Sequence, residues 1–287
     1  MKLQLGQADT VVDPYNDFIN SLLIAGASEN TIKVYSIAVK DFLNYIKKDP
    51  RTVTASDVNN WIINVMRRGT RDKKRIEINE MKRRKMVTAR LYIIAVLRFL
   101  KWLGKDIKPV TPRIRRNEIF ALDEETFNKL LEITKRTSDK LILKLLFDTG
   151  LRAKELLSIK VSDIDFERGS ITVRNTKNQE TRTVFFTEGT KSLLIKYIES
   201  KGLKSDDKLF NLTYNALYKR LKRIGKKIGI DLRPHLLRHT FATVAIKKGV
   251  PLPAVQKLLG HKDIRTTQIY THLLTTDLEN IYRKTFG

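Results

Sequence analysis

The chain has 287 residues, of which 41% are hydrophobic and 30% charged, so it can build a packed core and is not globally disordered. Its 56 Lys and Arg against 31 Asp and Glu leave a formal net charge of +25, a surplus that repels itself in the folded state and points to a polyanionic partner, nucleic acid first. There is no cysteine, which excludes disulfides, thiolate zinc sites and cysteine nucleophiles and fits a reducing cytoplasm.

The first ten residues, Met1 to Thr10, lack the apolar core of a signal peptide. The longest apolar run, Leu91 to Leu97, is too short to cross a bilayer. A soluble intracellular protein without membrane contact is therefore expected. Residues 13 to 104 read as helices only. Asp13-Pro14 is an N-cap followed by proline at the first helical position. Ser28 caps a second helix whose apolar face runs Ile32, Tyr35, Val39, Phe42, Leu43 and Ile46. A third helix is predicted over Thr54 to Met66 and a fourth over Val87 to Leu103, ending at Gly104. Between them lies a charged stretch, Arg67 to Lys85, read as a loop or a helix extension. It closes on Lys82-Arg83-Arg84-Lys85, a basic run suited to phosphates.

Residues 105 to 120 read as a basic linker. Pro109 and Pro112 forbid a regular helix, and Arg113, Arg115 and Arg116 suit a strap along a phosphate backbone. The plainer reading is a solvated spacer. From residue 121 the pattern is mixed. Asp123-Glu124-Glu125 opens a helix with acids in its first turn, and Leu141 to Asp148 is a second, apolar helix. Three short strands follow, Ser162 to Phe166, Ser170 to Val173 and Arg182 to Phe186, with turns at Arg168-Gly169 and Asn175 to Asn178. Helices are then expected over Gly189 to Ser200, Thr213 to Ile228, Pro234 to Lys248, Pro251 to Leu259 and Thr275 to Lys284.

Certain residues in this second half have the chemistry to surround one phosphodiester. Arg152 follows Gly150 at a turn between helices, and its guanidinium can clamp phosphate oxygens in a fork. His235 and Arg238 stand three apart in a helix opening at Pro234, which puts both on one face, with Leu236, Leu237 and Phe241 as core anchors. His239 is expected to point elsewhere, as a supporting residue. His261 follows a glycine C-cap at Gly260. Tyr270 lies in a polar segment where a core tyrosine is not expected. Its ordinary pKa of about 10 calls for cationic surroundings or a base if it is to attack. Lys177 sits at a strand turn, where plain turn solubility explains it from residue type alone.

Taken together, Thr149 to Leu156, Pro234 to Thr243, and Leu258 to His261 through Tyr270-Thr271-His272 resemble the motifs of the tyrosine site-specific recombinases of the phage-integrase type. Ser28 to Thr31 followed by Tyr35 resembles the same family's core-binding domain. The compact length and short tail resemble the Xer branch in its archaeal form. The resemblance spans nearly the whole chain. It implies two domains with the tyrosine recombinase fold: an all-α, four-helix, SAM-like core-binding domain at 13–104, and an α+β catalytic domain at 121–287 with a small antiparallel three-stranded sheet and a tail helix at 275–287.

The resemblance also implies roles. Tyr270 attacks the scissile phosphate, leaving a 3′-phosphotyrosine and a free 5′ hydroxyl. Arg152 and Arg238 stabilise the charged transition state, His235 accepts the tyrosine proton, His261 donates to a non-bridging oxygen, and Lys177 protonates the leaving oxygen. Lys154 and Lys160 remain alternatives for the lysine. Partners would be double-stranded DNA and further copies of the chain, a tetramer on two sites. Neither metal nor ATP nor any other cofactor is implied, and no phosphate-binding Gly-x-x-x-x-Gly-Lys-Ser/Thr loop occurs. Two rivals stand beside this reading. One is a metal-dependent nuclease built on Asp163, Asp165 and Glu167, with both aspartates expected on one strand face. The other is a DNA-binding protein without catalysis, which explains the charge but not the gathered Arg, His and Tyr.

Overall fold

The computed structural model describes residues 5, 12–68, 78–112, 121–175 and 180–260, with the backbone alone for 78–84, 175 and 180. The chain divides into two compact units, the first ending at Asn117 and the second starting at Glu118.

The described part of the first unit contains only helices: α1 (Pro14–Ile24), α2 (Glu29–Ile46), α3 (Ala55–Arg67) and α4 (Ile78–Trp102), with a 3₁₀ turn at Pro50–Thr52. Their starts are written in side chains. Asp13 accepts from the backbone N–H groups of Tyr15 and Asn16, Ser28 from that of Thr31, and Thr54 and Asp57 form a reciprocal capping box. The α2 stripe packs as its period predicts: Val39 and Phe42 are buried, with Ile32, Tyr35, Leu43 and Ile46 against the same core. Around them Phe18, Trp61, Phe99 and Leu100 are fully buried. Helix α4 begins nine residues before the expected Val87, so of the two readings of the charged stretch the helix extension holds for residues 78–85. Residues 78–86 lack an apolar period but contain neither Gly nor Pro, and they extend a helix that its buried half, Ala89 to Trp102, already holds. The first part of the expected linker is not a free spacer. Ile107 packs on the helical core, and the Val110 N–H donates to Asn59 Oδ1 at 2.9 Å.

The second unit runs α5 (Glu124–Glu132), α6 (Thr137–Thr149), α7 (Ala153–Leu156), β1 (Ile164–Asp165), β2 (Ser170–Asn175), β3 (Glu180–Phe185), α8 (Glu188–Lys201), α9 (Tyr214–Lys226), α10 (Pro234–Lys247) and α11 (Leu252–Leu259). The sheet is antiparallel in the order β1-β2-β3, with Ile171 opposite Val184 and Val173 opposite Arg182. Strand β1 is shorter than the run Ser162 to Phe166 predicted. Asp163 turns back to accept from the Lys160 N–H at 2.9 Å, and residues 161–163 form a 3₁₀ turn instead. Asp163 is therefore not on a strand face beside Asp165, and its carboxylate also meets Arg174 at 3.3 Å. Strand β2 runs on to Asn175, paired with Glu180 at the start of β3, so Asn175 is part of a strand and not of the expected turn, whose remaining residues, 176–178, lie outside the described residues. The core is contributed by α6, the inward face of the sheet and the flanking helices, with Leu141, Leu146, Leu151, Ile171, Val184, Leu217, Leu221 and Leu237 fully buried. Buried Asp139 joins α6 to α9 through Arg220 at 3.1 Å. Among the described residues no helix is long and apolar enough to cross a membrane.

Candidate active site

Helix α6 ends at Gly150, whose φ of 61° is the left-handed conformation that glycine adopts without cost. This residue also has no room for a side chain. A Cβ would strike the Phe241 ring of α10 and lie 2.8 Å from Leu259 Cδ2 of α11. The tight turn thus seats the end of α6 against the middle of α10 and the end of α11 and delivers Arg152 at the start of α7.

Arg152 and Arg238 are held by the same short piece of chain. Arg152 Nη2 donates to the Gly260 carbonyl at 3.1 Å. Arg238 Nη2 donates to the Leu259 carbonyl and its Nη1 to the Gly150 carbonyl, both at 2.6 Å. These carbonyls close α11 and α6. They have no partner further along their own helices and carry the negative end of the helix dipole, so a guanidinium is their natural complement. Arg238 is 3% exposed, whereas the Arg152 side chain is 42% exposed.

His235 opens α10 behind Pro234 and lies near both arginines. It reaches the surface, yet the surrounding protein removes enough water to lower its pKa below the ordinary 6.5, and Arg238 and then Arg152 push the same way. Its imidazole is therefore neutral at pH 7 and can accept a proton. His239 does not point away as expected. One turn along, its ring lies 4.8 Å from that of His235. Desolvation, then His235 and Arg238, hold its pKa at about 4.

Three expected residues, Arg152, His235 and Arg238, are thus brought together from α7 and α10. Lys177, His261 and Tyr270 lie outside the described residues, although His261 directly follows the Gly260 that Arg152 grips. Of the expected DNA contacts, Lys82, Arg83 and Arg84 fall on α4 with their side chains outside the described set. Lys85 is half-buried on the same helix, and Arg113, Arg115 and Arg116 lie outside it. Of the alternative lysines, Lys154 is exposed on α7 and Lys160 stands 3.8 Å from Asp206.

Two further residues belong to this cluster and were not singled out from the sequence. Glu155 accepts from the Arg152 N–H and from Arg152 Nη1, each at 2.8 Å. Arg182, on β3, forks onto both of its oxygens at 3.0 and 2.7 Å. Burial alone would raise the Glu155 pKa. Arg182 above all, and then the Arg152 N–H, outweigh it and bring the carboxyl to about 2. The three-residue spacing from Arg152 to Glu155 matches half of a capping box and is a usable sequence signal. Arg182 has none, since its partner lies 27 residues away.

Comparison with known proteins places the chain in a family. The profile of the Phage integrase family matches residues 121–276. The chain is 58% identical over 284 residues to the tyrosine recombinase XerA of Saccharolobus solfataricus, covering 99% of this chain and 96% of that protein. It is 30% identical over 276 residues to the tyrosine recombinase XerA of Pyrococcus furiosus, covering 92% and 90%. Among solved structures, a XerA recombinase matches with a TM-score of 0.52 at 26% identity, over 96% of this chain and 98% of that one. The fold is shared with a XerH site-specific recombinase bound to a difH substrate, with a TM-score of 0.67 at 23% identity over 95% and 84%. The chain belongs to the Phage integrase family, in the Xer branch of the tyrosine recombinases.

Proposed function

We propose that this recombinase binds duplex DNA, cleaves one strand through a 3′-phosphotyrosine and rejoins it to a new partner, resolving chromosome dimers at a dif-like site. The observation that carries the reading is the convergence of Arg152 and Arg238 on the carbonyl ends that lead into His261, with His235 close enough to feel both guanidiniums and its pKa lowered. Tyr270 Oη forms the bond to phosphorus while its proton passes to His235. The bond to the 5′ oxygen breaks, and Lys177 supplies the proton that makes this oxygen a hydroxyl. The two guanidiniums and His261 meet the negative charge that builds on the non-bridging oxygens. The phosphotyrosine retains the energy of the phosphodiester, so rejoining runs the same steps backward and needs neither ATP nor metal.

Residues 13–104 serve in this reading as the core-binding domain, 105–120 as a basic linker and 121–287 as the catalytic domain. Lys82 to Lys85 and Arg113, Arg115 and Arg116 contact phosphates, and the tail at 275–287 joins protomers into a tetramer on two sites. The net charge of +25 supports the DNA partner. The dif-like site is supported by the difH substrate of the XerH structure with the same fold, and a cytoplasmic location by the absence of cysteine. The test is to incubate the full chain with nicked genomic duplex in excess chelator and to look for a denaturant-resistant protein–DNA adduct. Adduct with chelator present is expected. Cleavage without adduct, or only with added metal, would favour a metal-dependent nuclease, and binding without cleavage a non-enzymatic DNA-binding protein.

A further inference from the structure

The carboxylate beside Arg152 poses a problem of charge. Glu155 is an orienting partner, because it grips both the backbone N–H and Nη1 of Arg152. A carboxylate paired with one guanidinium, however, forms a neutral unit, and a phosphate would then have to compete with it for the same donors. In this fold Glu155 is not paired with Arg152 alone. Arg182 takes a second position on each of its oxygens, so each oxygen accepts two hydrogen bonds and the acceptor sites are filled.

Arg182 is itself fixed. Its side chain is 12% exposed against 10% for Glu155. Its Nε donates to the Leu258 carbonyl at 2.8 Å, and a Cβ on Gly260 would lie 3.0 Å from its Nη1, so the backbone before His261 lies directly on the guanidinium. The Arg152 side chain, by contrast, remains 42% exposed. The buried guanidinium balances the carboxylate, and among the described residues no second carboxylate pairs with the open one, whose positive charge is left over. The geometry points to Arg182 as a positioning residue for Arg152: it neutralises Glu155, so that Glu155 can orient Arg152 without cancelling the charge offered to the scissile phosphate. This rests on the reading that Arg152 holds that phosphate. A different role for Arg182 would be a mere staple between β3 and the end of α11.

The two roles separate in a charge-balance cycle, read as single-turnover adduct formation on nicked DNA, with DNA affinity and melting temperature measured alongside. Arg182→Met should slow adduct formation about 10- to 100-fold while affinity stays within about threefold, since one preorganised charge is lost at the reacting phosphate and not along the backbone. Glu155→Gln removes the charge that Arg182 balances but keeps an acceptor for Arg152. The double variant Arg182→Met/Glu155→Gln should therefore regain about tenfold or more over Arg182→Met. Arg182→Lys, which keeps the charge and loses the fork, should stay within about tenfold of the unaltered chain, and it serves if the methionine variant does not fold. Wild-type rates in Arg182→Met, a double variant no faster than the single, or a folded Arg182→Lys as slow as Arg182→Met would each overturn the proposal. If the unaltered chain itself forms no adduct, the strand-transfer reading fails first and this one falls with it.

Discussion

Arg152 and Arg238 grip neighbouring carbonyls, Gly260 and Leu259, in different surroundings. Arg238 is buried and spends two donors on the Gly150 and Leu259 carbonyls, whereas Arg152 is open to solvent. Both positions use the planar fork, one to join two carbonyls and the other, in the proposed reaction, to meet carboxylate and phosphate together. Lysine at either position should cut single-turnover cleavage about a hundred- to a thousandfold, the range for losing one preorganised donor to a developing charge. Near-normal cleavage by both lysine variants would remove them from the clamp. Spacing made Arg152, His235 and Arg238 candidates at a helix end or on one helix face, and only the resemblance to the recombinase motifs gave them roles. Arg182 was illegible for the opposite reason: its contacts to Glu155 and Leu258 exist only once β3 lies against α7 and α11.

At the scale of elements, the site is a meeting of helix ends, and Gly150 is where they are tightest. An alanine there must adopt a positive φ, at about 1–2 kcal/mol, and force its Cβ into Phe241 and Leu259, at about 1–3 kcal/mol more. Gly150→Ala should lower stability in urea melts by the sum and slow cleavage, since Leu259 and the Gly150 carbonyl both hold Arg238. An unchanged melt would mean that the contact relaxes freely. Most helices were readable from caps and period, as with Asp13-Pro14, Ser28 and the α2 stripe. The boundaries that moved have different causes. Helix α4 continues through residues 78–86, where continuity with a packed helix replaces any apolar signal, and β1 gives way to a turn made by the Asp163 side chain, a local hydrogen bond that β-propensity does not register.

At the scale of the whole molecule, charge is the dominant feature. A surplus of +25 makes DNA binding steeply salt-dependent, because each phosphate neutralised releases counterions and adds about 0.9 to the slope of log affinity against log salt. Replacing Lys82, Arg83, Arg84 and Lys85 together by glutamine should weaken binding and flatten that slope by about 2 to 4. An unchanged slope would make this part of α4 a solvated face. The proposed strand transfer turns on one atom, the Tyr270 hydroxyl oxygen. Tyr270→Phe removes it and leaves the basic surface untouched, so the variant should bind nicked DNA with the affinity of the unaltered chain and form no covalent adduct. An adduct that persists in Tyr270→Phe would contradict the account and move the nucleophile to another residue, with Tyr282 and Tyr218 the next to test.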